Sequence, residues 1–186
     1  MHDQPAPHAT WLSPDTPARY GTVSRALHWA MAAGFAWIFA SAIAHATARD
    51  SALDSLLWPT HKHVGSVLMA LALLRAAWAL AQARQRPPGV SVLARLGHGA
   101  LYALMLAIPA IGLLRQYGSG RAFAPLGLPL MPGFDASQKM EWAVNLGGLL
   151  HGELGWALLA LVVGHIAAAL WHQRPGSTPV LRRMMG

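Results

Sequence analysis

LLHGELGWALLALVVGHIAAALWH, running from Leu149 to His172, is the stretch whose reading decides the fold. It holds one carboxylate, Glu153, and no Lys or Arg. A helix of about 20 mostly apolar residues crosses the hydrocarbon of a bilayer, and this stretch is rich in the good helix formers Ala and Leu. Three comparable stretches precede it, at about 23–48, 61–83 and 92–114. Together they predict an all-α fold: an integral membrane four-helix bundle with short loops and one longer periplasmic loop between helices 3 and 4. Pro109 falls inside the third stretch, where membrane helices accept it at a bend.

The rest of the chain agrees with that reading. Of its 186 residues, 54% are hydrophobic and 11% charged, against roughly 25% charged in a soluble domain. The absence of Cys excludes disulfide frameworks, thiolate zinc sites, iron–sulfur clusters and covalently attached c-type haem. The 14 Lys+Arg against 7 Asp+Glu give a net charge of +7. They lie between apolar stretches, which suits membrane lipid as the partner and not nucleic acid. Residues 1–22 read as a flexible cytoplasmic tail, and the first span is too long for a cleaved signal. Residues 23–172 form the transmembrane domain and 173–186 a second cytoplasmic tail. Pro87-Pro88-Gly89 marks a turn, and 115–148 is the long loop.

With both termini in the cytoplasm, that side holds Arg19, Arg25, Arg84, Arg86, Arg95, Arg174, Arg182 and Arg183. The other holds Arg49, Lys62, Arg115, Arg121 and Lys139. The excess inside favours this orientation. Trp29, Trp58, Trp142, Trp156 and Trp171 lie near span ends, as an aromatic belt requires. Gly34, Gly65, Gly155 and Gly164 permit close approach of another helix or of a flat ligand.

The ten His carry the chemistry. An ionisable residue inside a span is costly and marks function by default. His151 and His165 are fourteen residues apart, which returns within about 40° of the same helix face some 21 Å further along. His28 lies about one turn into the first span, at the depth of His165. His61 opens the second span at the depth of His151. Two stacked pairs result, His28 with His165 and His61 with His151. Bundle cores house cofactors, and two facing imidazoles suit the axial positions of a haem iron.

Arg75, fourteen residues after His61, shares its face at the inner depth. It either meets an anion such as a haem propionate or snorkels to the inner surface. His63 points about 200° away from His61, and His45 about 100° off the face of His28. His172, seven residues after His165, competes with it as the inner ligand. His98 sits where it can bond a propionate or a quinone headgroup, or stay wet at the interface. Glu153 and His98 are the nearest candidates to relay protons to a quinone. His2 and His8 belong to the tail.

Several local patterns resemble the bacterial cytochrome b561 family. They are Arg25-Ala26-Leu27-His28-Trp29, His61-Lys62-His63-Val64-Gly65 with Leu73-Leu74-Arg75, Gly97-His98 through Tyr102 to Ile108-Pro109-Ala110-Ile111-Gly112, and His151-Gly152-Glu153-Leu154-Gly155 through Gly164-His165. Val180-Leu181-Arg182-Arg183-Met184 closes the likeness, which spans about 20–184. The resemblance implies two haems b, with His28 and His165 as metal ligands on the cytoplasmic side and His61 and His151 on the periplasmic side. It also implies electron transfer in the bacterial inner membrane, ubiquinone or a related quinone as partner, and a periplasmic or membrane electron donor. One branch resembles a superoxide oxidase. The five cations and five acids (Asp50, Asp54, Asp135, Glu141, Glu153) of the outer side give that anion no net attraction. Two rival readings stand beside this one. A haem-bearing anchor would pass electrons from a separate dehydrogenase or hydrogenase, and a His-lined divalent-metal transporter would hold no haem.

Overall fold

The computed structural model describes residues 13–176 and 180–185, so His2, His8 and the first part of the expected tail lie outside it. Four long helices run up and down: α1 (Thr22–Thr47), α3 (His61–Ala81), α4 (Val92–Gly118) and α5 (Glu141–Trp171). A short α2 (Ala52–Leu57) and a 3-10 turn (Trp58–Thr60) lead straight into α3, making one apolar stretch over Ala52–Ala81. A last turn, α6 (Arg182–Met185), closes the chain. All four long stretches have the length and apolarity to cross a membrane. Among the described residues there is no sheet, only one antiparallel bridge between Phe123 and Met131.

Local chemistry sets the boundaries. Ser51 and Ser91 cap α2 and α4, their side chains accepting from the backbone N–H of Asp54 and Ala94. Gly21 precedes α1 because a Cβ there would strike the Ser13 and Pro14 backbone. The helix α4 runs on through Pro109 to Gly118.

The fourth span begins at Glu141, eight residues earlier than the sequence suggests, and the long loop shrinks to 119–140. Asn145, Gly147 and Gly148 are poor helix formers, so 141–148 reads as loop. Tertiary packing overrides this. Ala143 is fully buried, and a Cβ on Gly118 would collide with it. Small residues let α4 and α5 cross closely.

The packing is closest between α4 and α5, then between α1 and α3. Met31, Leu68, Ala72, Leu101, Met105, Ile108 and Leu158 form the buried core. Leu73, Leu74, Leu80, Val163, Ile166 and Leu170 point outward, as residues facing lipid do.

At the end of the bundle where the described residues begin and finish, the part of the expected tail that is described is tied down. Asp15 accepts from Gly21 N–H (2.7 Å), the Ser24 hydroxyl (2.8 Å) and Arg86 Nε (3.0 Å). Trp78 Nε1 donates to the same Ser24 hydroxyl at 3.0 Å. The carbonyls of Arg183 and Met184 accept from Tyr20 N–H and Trp29 Nε1. We call this the terminal end, and the opposite one the loop end.

Candidate functional site

The histidines occupy two levels separated by the core. At the loop end, the first turn of α3 presents His61 and α5 presents His151, with ring centroids 6.2 Å apart and planes at 71°. At the terminal end, α1 presents His28 and α5 presents His165, at 6.4 Å and 71°. The core residue Met31 lies one turn beyond His28, while Leu68 and Leu158 lie two turns beyond His61 and His151. The two His of α5 are about 21 Å apart along one continuous helix.

Each loop-end imidazole has its orientation fixed. The buried Ser41 hydroxyl donates to the Ile38 carbonyl (2.7 Å) and so accepts from His61 Nδ1 (2.7 Å). His151 Nδ1 donates to the Ile108 carbonyl at 2.9 Å. In both rings the proton therefore sits on Nδ1, and Nε2 keeps its lone pair for a metal. Sequence reasoning missed Ser41 and the Ile108 carbonyl. Ser41 lies on another helix from His61, and a carbonyl carries no residue signature.

The rings border a cavity of about 690 Å³ that reaches from Leu68, Met105 and Leu158 to a mouth at the loop end. Gly152 and Gly155 line it, with nothing within 4 Å of where a Cβ would stand. Arg49, Lys62, Arg115 and Arg121 also line it, and among the described residues no carboxylate does. The charge balance of the whole end therefore does not hold locally. Glu141 is paired with Lys139 and Asp54 is held by His45, and neither carboxylate lines the cavity.

The terminal-end pair has different surroundings. His28 Nδ1, Arg75 Nε and Arg25 Nε are buried and have no hydrogen-bond partner among the described residues. Arg75 lies over the Tyr102 ring, 5.8 Å from its centroid. Buried donors left unpaired cost about 1–3 kcal/mol each, and a ligand bearing carboxylates would satisfy them. His98, exposed on α4, brings its ring to 5.3 Å from His165.

The other candidates are placed elsewhere. His172 bonds the Ala168 carbonyl of its own helix at 2.8 Å, and it is His165 whose ring faces His28. His63 packs on Phe123. Glu153 is exposed and does not line the cavity.

The donor set suits one kind of group. Among the described residues no three His, Cys, Asp or Glu side chains converge as a metal cage. Each level instead brings two facing imidazoles together. With metal–nitrogen bonds near 2.0 Å, as imidazoles make to transition metals, the two rings stand about 6 Å apart. A metal that brings its own in-plane ligands, as haem iron does, fits that spacing.

A family model described as "Prokaryotic cytochrome b561" matches residues 19–186. The chain is also 31% identical over 182 residues to "Cytochrome b561 homolog 2" of Escherichia coli (strain K12), covering 92% of this chain and 94% of that protein.

Proposed function

The chain belongs to the prokaryotic cytochrome b561 family, and from that premise we propose that it carries two haems b and passes electrons between them across a bacterial inner membrane. It is a four-span membrane protein with the electron-transfer role of this family. The observation that carries it is the repetition of one imidazole pair at two depths, with nearly equal spacing and equal ring angle.

His61 and His151 would hold one haem, and His28 and His165 the other. Bound haem supplies one-electron redox chemistry at each level. The chain itself fixes the imidazoles. Ser41 and the Ile108 carbonyl hold the loop-end rings with Nε2 free. Arg75 and Arg25, with buried unpaired donors, would bind propionates at the terminal end, with His98 beside them. Lys62, Arg115 and Arg121 would do so at the loop end, and the excess of cations there suits an anionic electron donor, superoxide included. Ubiquinone or a related quinone completes the circuit. The excess of Lys and Arg at the terminal end supports a cytoplasmic position for both termini.

The test is a dithionite-reduced minus oxidised visible spectrum of the purified protein with a haem count. Two haems per chain and a low-spin b-type spectrum are expected. A colourless protein after expression with adequate haem supply would sink the reading.

A further inference from the structure

A quinone exchanges protons as well as electrons, and an iron held by two imidazoles offers no proton. The loop-end cavity narrows the choice of proton carrier. Its titratable lining residues are His61 and His151, the four cations Arg49, Lys62, Arg115 and Arg121, and His45. The first two are the paired imidazoles. The four cations only donate hydrogen bonds and accept none. His45, near the end of α1, is the remaining lining group, and an imidazole can both take and give a proton.

Its setting is that of an oriented base. His45 Nδ1 lies 3.0 Å from Oδ1 of Asp54, a buried carboxylate on α2 whose Oδ2 accepts from the Asp50 N–H at 3.0 Å. Arg49 approaches His45 Nε2 at 3.4 Å. A guanidinium only donates, so Nε2 is the acceptor and the proton sits on Nδ1, donated to Asp54. The ring lies flat on Trp58, 3.7 Å between centroids and 1° between planes. Trp58 in turn touches His61, at 4.8 Å. One aromatic ring thus separates His45 from an imidazole of the loop-end pair.

We propose that His45, held by Asp54, is the proton-transferring residue of a quinone site at the mouth of the loop-end cavity. This rests on the quinone-linked function above. The substrate class is a hydroquinone/quinone couple, a carrier of two electrons and two protons. In oxidation, two O–H bonds of the hydroquinone break and two ring C=O bonds form. The two electrons leave one at a time for the two haems. The first phenolic proton passes to His45 Nε2, and the imidazolium is stabilised by Asp54. It is released to water at the mouth before the second proton follows the same route. Quinone reduction is the reverse. Arg49, displaced from Nε2, donates to the substrate oxygen. The charged and titratable groups beside His45 are Arg49 on its own helix and Asp50 and Asp54 next to it, and those that share the cavity lining with it are His61 and Lys62 on α3, Arg115 on α4, Arg121 in the loop and His151 on α5.

The test uses the haem-loaded protein in detergent. Oxidised protein is mixed anaerobically with a short-chain ubiquinol, or reduced protein with the quinone, and the haem band is followed. General-base assistance is worth about 10²–10⁴-fold, so His45→Gln should slow exchange at least about 100-fold. It should also abolish the rise of the hydroquinone-driven rate with pH. Haem content, dithionite-reduced spectrum and midpoint potentials should stay as in the unsubstituted protein. Without turnover, a redox-inert phenol should bind the oxidised protein about tenfold more weakly in His45→Gln by calorimetry, the worth of one hydrogen bond. Exchange within twofold of the unsubstituted protein, with the same pH profile, overturns the role of His45 and leaves the quinone reading standing. If the unsubstituted protein exchanges no electrons with either quinone form while dithionite reduces its haems, the quinone reading falls and the proposal with it. Should His45→Gln lose haem, Asp54→Asn decides, because it keeps the ring. A tenfold loss with a displaced pH profile supports the proposal, and an unchanged rate and profile overturn it.

Discussion

The hydroxyl of Ser41 makes one bond as donor and one as acceptor, and that sequence of bonds settles which nitrogen of His61 is free. Replacing it leaves the imidazole in place but removes the group that fixes its tautomer. Outer partners of a metal-bound imidazole are typically worth 10–100-fold in affinity. Ser41→Ala should therefore weaken haem retention at the loop end by about that factor, and Ser41→Thr should restore it. The measurement is haem content during dilution into detergent with a haem scavenger. A sharper result is expected from the ligands themselves. His61→Ala or His151→Ala should leave one haem per chain, held at the terminal end, by the pyridine haemochrome assay. Retention of two haems in both variants would refute the pairing.

At the scale of elements, α4 acts as a shaped wall against α5. Gly112 is the point of contact with the site. A Cβ there would stand 2.8 Å from His151 Cε1 and 3.0 Å from its Nδ1. The ring cannot swing away without losing its bond to the Ile108 carbonyl. Gly112→Ala should thus cost about 1–3 kcal/mol of local strain and release the loop-end haem selectively, read as a halved haem count with the helix content unchanged. The positions of the helices were legible in the sequence because twenty-residue apolar stretches have few other fates. The start of α5 was not. Its first eight residues carry Asn and two Gly, and only burial of Ala143 and Gly147 against α4 makes them helical. His45 escaped for the same reason. Read along α1 alone it sits off the face of His28, and the turn into α2 is what brings Asp54 and Trp58 around it.

For the whole molecule, the terminal end is closed by charges far apart in sequence. Asp15, from the segment before α1, and Arg86, after α3, form a 3.0 Å ion pair with the carboxylate side chain fully buried. Burial alone would raise the Asp15 carboxyl. The Gly21 N–H, the Ser24 hydroxyl and Arg86 outweigh it and hold the group below its ordinary value of 3.8. A depressed carboxyl stabilises the fold fully above its unfolded value, and that contribution is lost as pH falls through the still lower folded value. The protein should accordingly lose thermal stability in detergent as the pH drops below about 4. Asp15→Asn should show a smaller loss there and should already be about 3 kcal/mol less stable at neutral pH, because Arg86 is left without its partner. Equal acid sensitivity in the two proteins would remove Asp15 from this role.

The sequence by itself determined the four spans, the all-helical class and the depths of the histidines, because the bilayer fixes helix length and the helix repeat fixes the face of each residue. Those periodic quantities survive without knowledge of neighbours. The sequence paired His28 with His165 but left His172 as a rival, and only the tertiary structure turned the His165 ring toward His28 and bonded His172 within its own helix. The same holds for the hydroxyl and the carbonyl that hold the loop-end rings, and for the local excess of cations around that cavity. Each of these depends on which side chains from separate helices come within about 3 Å of each other. No repeat along one helix encodes that distance.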